Sequence, residues 1–157
     1  MAKLLMREFG VFDEFTNAEL EKVLSLAVER EYDAGTAIFK EGQPAQELLL
    51  VEDGKIALQM QLPSSQSSHQ RKVTVDFAGR GDVLGWSTAV EPYVLTLSAI
   101  TLQRVKLKAI DAQKLRSLIE SDYQVGYKLL AGLIKVVASR LAETRALLMS
   151  ERITTSE

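Results

Sequence analysis

Between Arg30 and Leu107 the sequence is cut by turn signals too often to hold a helix of ordinary length, and this punctuation constrains the chain more than any other feature. Short apolar runs at Thr36 to Phe39, Leu48 to Val51, Lys55 to Leu62, Lys72 to Phe77, Val83-Leu84, Leu95 to Leu102 and Val105 to Leu107 read as strands. Ala34-Gly35, Glu41-Gly42, Asp53-Gly54 and Ala78 to Gly81 separate them. Asp53-Gly54, set between two apolar runs, predicts a tight two-residue hairpin, in which both central residues take positive φ. Pro63 to Gln70 (PSSQSSHQ) is polar and aperiodic and predicts a hairpin loop, with His69 as a solvated residue in it. Seven or eight short strands at this spacing predict a mainly β chain, an antiparallel barrel or jelly roll.

Helices are predicted on both sides. Thr16-Asn17-Ala18-Glu19 is a capping box, and Leu20, Val23, Leu24 and Ala27 then recur at helical spacing to about Val28. Asp111 is placed to cap a second helix reaching about Glu120, with Leu115, Leu118 and Ile119 inward. Ser121, followed three positions on by Gln124, predicts the start of a long helix from about Asp122 toward Met149. On it Leu130, Ile134, Val137, Leu141 and Leu148 fall at alternating spacings of four and three, with Thr144 in the remaining register position. The pattern suits either a helix packed on its own roll or the seam of a two-stranded coiled coil; because nearly three heptads exceed what one small roll covers, a parallel homodimer is the expectation. Arg140, Arg145 and Arg152 read as solvated charges flanking that seam.

Composition narrows the function. The 157 residues suit one domain, with the roll at about 30–110 and the C-terminal helices at 111–150. There is no cysteine and a single histidine, which argues against disulfides, thiolate or multi-histidine metal centres and iron–sulfur clusters. A net charge of −2 without a basic stripe argues against direct nucleic-acid binding. No long apolar segment suggests a membrane span, and a cytoplasmic protein is expected. No Ser/His/Asp or paired-carboxylate arrangement stands out, so an enzyme is not expected.

One stretch has the layout of an anion cradle: Gly81 to Thr101, GDVLGWSTAVEPYVLTLSAIT. Two glycines four apart bracket a short strand, Trp86 to Ala89 can form one helical turn, and a further strand leaves from Thr96. From Asp82 to Gln103 it contains no Lys or Arg. The candidate ligand-binding residues are Gly85, Trp86, Ser87, Thr88, Thr96 and Ser98, one ring face with hydroxyls and backbone around it. The alternative is that Trp86 turns inward and fills the space.

The order of these pieces resembles the cyclic-nucleotide-binding domain of the catabolite-activator and oxygen-regulator superfamily. The resemblance spans Phe9 to Met149 and is carried by Phe39-x-x-Gly42, Leu49-Leu50-Val51-x-x-Gly54-x-Ile56, Gly81-Asp82-Val83-Leu84-Gly85, Ser98-Ala99 and Val105-x-Leu107-x-x-Ile110-Asp111. It implies a jelly roll (double-stranded β-helix) with a short N-terminal helix and a long C-terminal dimerisation helix. It also implies a cyclic nucleotide as ligand, held by a glutamate after the second glycine and by an arginine before the small pair. Here Trp86 stands at the glutamate position, and no arginine is available near Leu95 or Leu97. Losing both anchors costs about 3–5 kcal/mol, or on the order of a hundred- to several-thousand-fold in affinity.

The expected function is therefore a stand-alone regulatory domain for another, less charged effector, signalling through its long helix to a protein partner. With the chain ending at Glu157, no DNA-reading domain is expected. The alternative is a ligandless dimeric interaction module with a collapsed pocket.

Overall fold

The computed structural model describes residues 6–63 and 71–154; the Ser64–Gln70 part of the loop expected after Pro63, with His69, lies outside the described residues. Eight strands form two four-stranded antiparallel sheets, the jelly roll expected from the turn spacing. They are β1 (Ala27–Tyr32), β2 (Ala37–Phe39), β3 (Glu47–Asp53), β4 (Ile56–Gln61), β5 (Lys72–Ala78), β6 (Val83–Leu84), β7 (Ser98–Thr101) and β8 (Val105–Asp111). One sheet has the order β1-β8-β3-β6, the other β2-β7-β4-β5.

Strand β3 shows why the roll carries helices on one side. Its run Leu48 to Val51 is buried on both faces, which is why it reads as continuous rather than alternating. Leu48 and Leu50 join a core shared with the helices, while Leu49 and Val51 join the core between the two sheets. On β8, Lys108 is only 8% exposed and reaches both Glu29 on β1 and Glu52 on β3 at 3.0 Å. Burial works against its charge, but the two carboxylates outweigh it and hold the ammonium above its ordinary value.

Three helices cover the β1-β8-β3-β6 sheet: α1 (Asn17–Leu24), α2 (Ala112–Ser121) and α3 (Tyr123–Thr154). The Thr16 capping box is present in full, with Glu19 N–H donating to the Thr16 hydroxyl at 3.2 Å and Thr16 N–H to the Glu19 carboxylate at 2.9 Å. Asp111 caps α2 by accepting from Lys114 N–H at 3.0 Å. The first half of α3 is built into the core through Val125, Leu129 and Leu133. A 3₁₀ turn at Gly10–Phe12 lies across it, so close that a Cβ on Gly132 would stand 2.3 Å from the Val11 carbonyl oxygen. Lys128 of α3 reaches back to Glu19 at 2.8 Å; that bond and the Thr16 N–H hold the Glu19 carboxyl below its ordinary value.

Four local expectations are corrected. Ala27, placed in the first helix by its spacing, begins β1, because α1 closes at Leu24 and Ala27 pairs with Ile110. Asp53-Gly54 is not a hairpin: β3 and β4 lie in different sheets, and only Gly54 takes positive φ, at +99°, as the chain crosses between them. The strand expected from Leu95 begins at Ser98. Asp122 rather than Ser121 opens α3, accepting from Val125 N–H at 3.2 Å, while the Ser121 hydroxyl donates to the Leu118 carbonyl.

Candidate functional site

The cradle is built from its glycines. Gly81 and Gly85 bracket β6 with φ of +89° and +77°. At Gly85 the requirement is double, since a Cβ would also lie 2.4 Å from the Glu47 carbonyl oxygen. The chain then makes the expected 3₁₀ turn, Trp86–Ala89, with Thr88 N–H donating to the Gly85 carbonyl at 3.0 Å. Asp82 acts as a turn former at the entry, its carboxylate accepting from Gly79 N–H at 2.8 Å.

Of the six candidate ligand residues, four come together. Gly85, Trp86, Ser87 and Thr96 line one cavity with Phe39, Leu58, Leu84, Leu95, Leu97 and Arg140. Its volume is about 30 Å³, room for roughly one or two waters. Trp86 is half-buried, packing on the helix-side core while forming one wall of the cavity. Thr88 and Ser98 do not line it. Thr88 is fully buried beneath the turn, its hydroxyl without a hydrogen-bond partner and its carbonyl accepting from Arg116 of α2 at 3.0 Å. The Arg116 guanidinium also stacks 4.4 Å from the Tyr93 ring, so α2 grips the cradle from below. The Ser98 hydroxyl accepts from Glu41 N–H at 2.9 Å and is used up in the fold. A second pocket of about 250 Å³ lies behind Phe39 and Leu95, which wall both spaces.

The cation absent from the Gly81 to Thr101 segment arrives from elsewhere. Arg140, read from the sequence as a solvated flank charge, turns off α3 into the cavity wall, its side chain 19% exposed. It donates to Asp76 of β5 at 2.5 Å. A bulge places the carboxylate: opposite the step from Leu58 to Gln59, β5 has the extra residue Val75, and Asp76 pairs with Leu58, whose side chain faces the cavity. Sequence reading missed both residues. Their one local sign is an aspartate in an otherwise apolar and β-branched run, VTVDF.

The predicted seam runs along α3. Ile134, Leu141 and Leu148 are 67%, 49% and 50% exposed, Leu130 and Val137 are half-buried, and Thr144 is exposed, its hydroxyl donating to the Arg140 carbonyl at 2.8 Å. Among the described residues no three His, Cys, Asp or Glu side chains converge as a metal site, and no helix is long and apolar enough to cross a membrane.

Residues 29–122, the roll with the cradle and α2, match the family model described as "Cyclic nucleotide-binding domain". The chain belongs to that family. This cyclic nucleotide-binding domain is 25% identical over 144 residues to a CRP-like cAMP-activated global transcriptional regulator of Mycobacterium tuberculosis. The match takes in 92% of this chain and 60% of the regulator, so the domain spans less than two thirds of that relative. Among solved structures it is similar to the catabolite activator protein of Thermus thermophilus, at 25% identity and a TM-score of 0.68 over 90% of this chain and 63% of that one. A cyclic nucleotide-binding domain from Methylobacillus flagellatus KT shares the fold at 17% identity, with a TM-score of 0.81 over 95% of this chain and 84% of that one.

Proposed function

We propose that the chain is an effector-binding regulatory domain, not an enzyme, that takes its ligand between the cradle and α3, pairs with a second copy along α3, and binds cyclic AMP and cyclic GMP only weakly. The observation that carries this reading is the position of Arg140. It closes the cavity from a helix whose next residue, Leu141, belongs to the exposed seam, so occupancy of the cavity and the pose of the pairing helix share one element. Against tight cyclic-nucleotide binding stand Trp86 at the glutamate position, the absence of any arginine from Leu95 to Leu97, and a cavity of about 30 Å³. The cAMP activation named for the mycobacterial relative belongs to a longer protein, of which this domain spans 60%.

Isothermal titration with each cyclic nucleotide is the test. The expected dissociation constants are about millimolar, and micromolar binding of either overturns the weak-binding reading.

A second reading is supported by the packing of Trp86 on the helical core: a ligandless paired module whose pocket is filled from within. Trp86 is the only tryptophan. Its emission moves with an effector under the first reading and stays fixed with every small molecule under the second.

A further inference from the structure

Arg140 walls two spaces at once. On one side is the cavity of about 30 Å³ beneath Trp86; on the other is a groove of about 340 Å³ between α3 and the β5–β6 turn, lined by Phe77 and Val83 and by the charged side chains of Asp13, Asp82, Lys135 and Glu143. Neither the arginine nor Asp76 comes from the cradle. We propose that the Asp76–Arg140 pair is a gate on the effector site: Asp76 is a built-in counter-ion that a small, ring-bearing organic anion must displace from Arg140 in order to enter. The proposal rests on the effector-binding reading and adds to it the charge of the ligand and the step that admits it.

Three physical points carry it. The Arg140 side chain is only partly exposed, a setting that favours an anion beside its charge, and Asp76 supplies one. An incoming carboxylate or phosphate can accept the same charge-assisted hydrogen bond from Arg140, whereas a neutral ring brings no charge to replace that of Asp76. The partners are also unequally placed, since the Asp76 side chain is 33% exposed against 19% for Arg140. Asp76 is therefore the partner that returns more readily to water when displaced, its other oxygen still accepting from Phe77 N–H at 2.7 Å.

The gain in space is of the required size. Arg140 lines both spaces, so moving its guanidinium opens the small cavity on the side of the groove, whose volume of about 340 Å³ falls in the range of small-ligand sites. The ring of the ligand then meets Trp86 and Leu97, and its charge meets Arg140. Admission of the ligand unties β5 from α3.

The test uses the full chain, Trp86 emission and calorimetry, with cyclic AMP as the anionic probe and adenosine as its neutral counterpart. Asp76→Asn is expected to bind cyclic AMP about tenfold tighter than the wild type with adenosine unchanged, and adding Arg140→Gln to it is expected to abolish the gain. Asp76→Ser, which leaves a different side chain at the same position, should reproduce the gain. Equal cyclic AMP affinity in the wild type and both Asp76 variants overturns the gate while leaving the effector reading intact, as does a response to adenosine alone. Cyclic AMP binding that calorimetry cannot detect at millimolar concentration in any variant overturns the gate. Without ligand, Asp76→Asn and Arg140→Gln should each speed amide exchange in β5 and leave β3 as it was; unchanged β5 exchange in both overturns the tie that the gate requires.

Discussion

The two halves of α3 differ in burial and in what they pack against. From Tyr123 to Leu133 the helix is a core element, with Val125 and Leu129 almost wholly buried and with polar ties from Lys22 to Asp122 at 2.6 Å and from Lys128 to Glu19 at 2.8 Å. Beyond Leu133 it leaves the core. Ile134, Leu141, Leu148 and Ile153 are each about half exposed or more, and the ion pair with Asp76 holds this half to the roll. One continuous helix thus has a buried base and a more exposed outer half, the half along which the pairing proposed above would run. A ligand acting near Arg140 can change the second without unfolding the first.

The largest expected effect tests the base. Leu129→Ala removes a fully buried side chain and should lower the stability of the fold by about 3 kcal/mol in chemical denaturation. A loss below about 1 kcal/mol would mean that the base is not a core element. Leu141→Asp should do the opposite: leave the denaturation midpoint of the monomer nearly unchanged and make the protein sediment at monomer mass. Sedimentation identical to the wild type removes the proposed pairing face. The smallest effect concerns acid. Because the Glu19 carboxyl sits below its ordinary value of 4.5, the stabilisation from Lys128 is fully present above that pH and is lost as the pH falls through the lowered value. Lys128→Met should therefore be less stable than the wild type by less than about 1 kcal/mol near neutrality, with the gap closing in acid. A gap that persists at low pH would assign the role of Lys128 to packing of its stem instead.

The capping residues Thr16 and Asp111 marked two helix starts, because such signals are local; the heptad spacing ran on through Leu130 and Val137, which are half-buried, so it did not show the split within α3. The jelly roll was legible for the same reason: turn residues recur at short intervals. What could not be read depended on partners far along the chain. Asp53-Gly54 looks the same whether the next strand pairs back or crosses to another sheet, and only the pairing of β4 with β5 and β7 decides it. Thr88 and Ser98 were plausible hydroxyls for a ligand until their placement beneath the turn and against Glu41 was known. Arg140 was hidden most completely. In sequence it is one step off the seam, and its meaning comes from Asp76, 64 residues earlier, turned inward by a bulge.

The contact between Gly132 and the Val11 carbonyl also sets a lever ratio. With the helix axis pinned at that point, α3 rises about 12 Å to Arg140 and about 24 Å to Leu148 at roughly 1.5 Å per residue. A tilt of about 10° that draws Arg140 some 2 Å from Asp76 therefore carries Leu148 about 4 Å, on the same helical rise. An event the size of one broken hydrogen bond at the cavity is doubled by the time it reaches the far end of the seam.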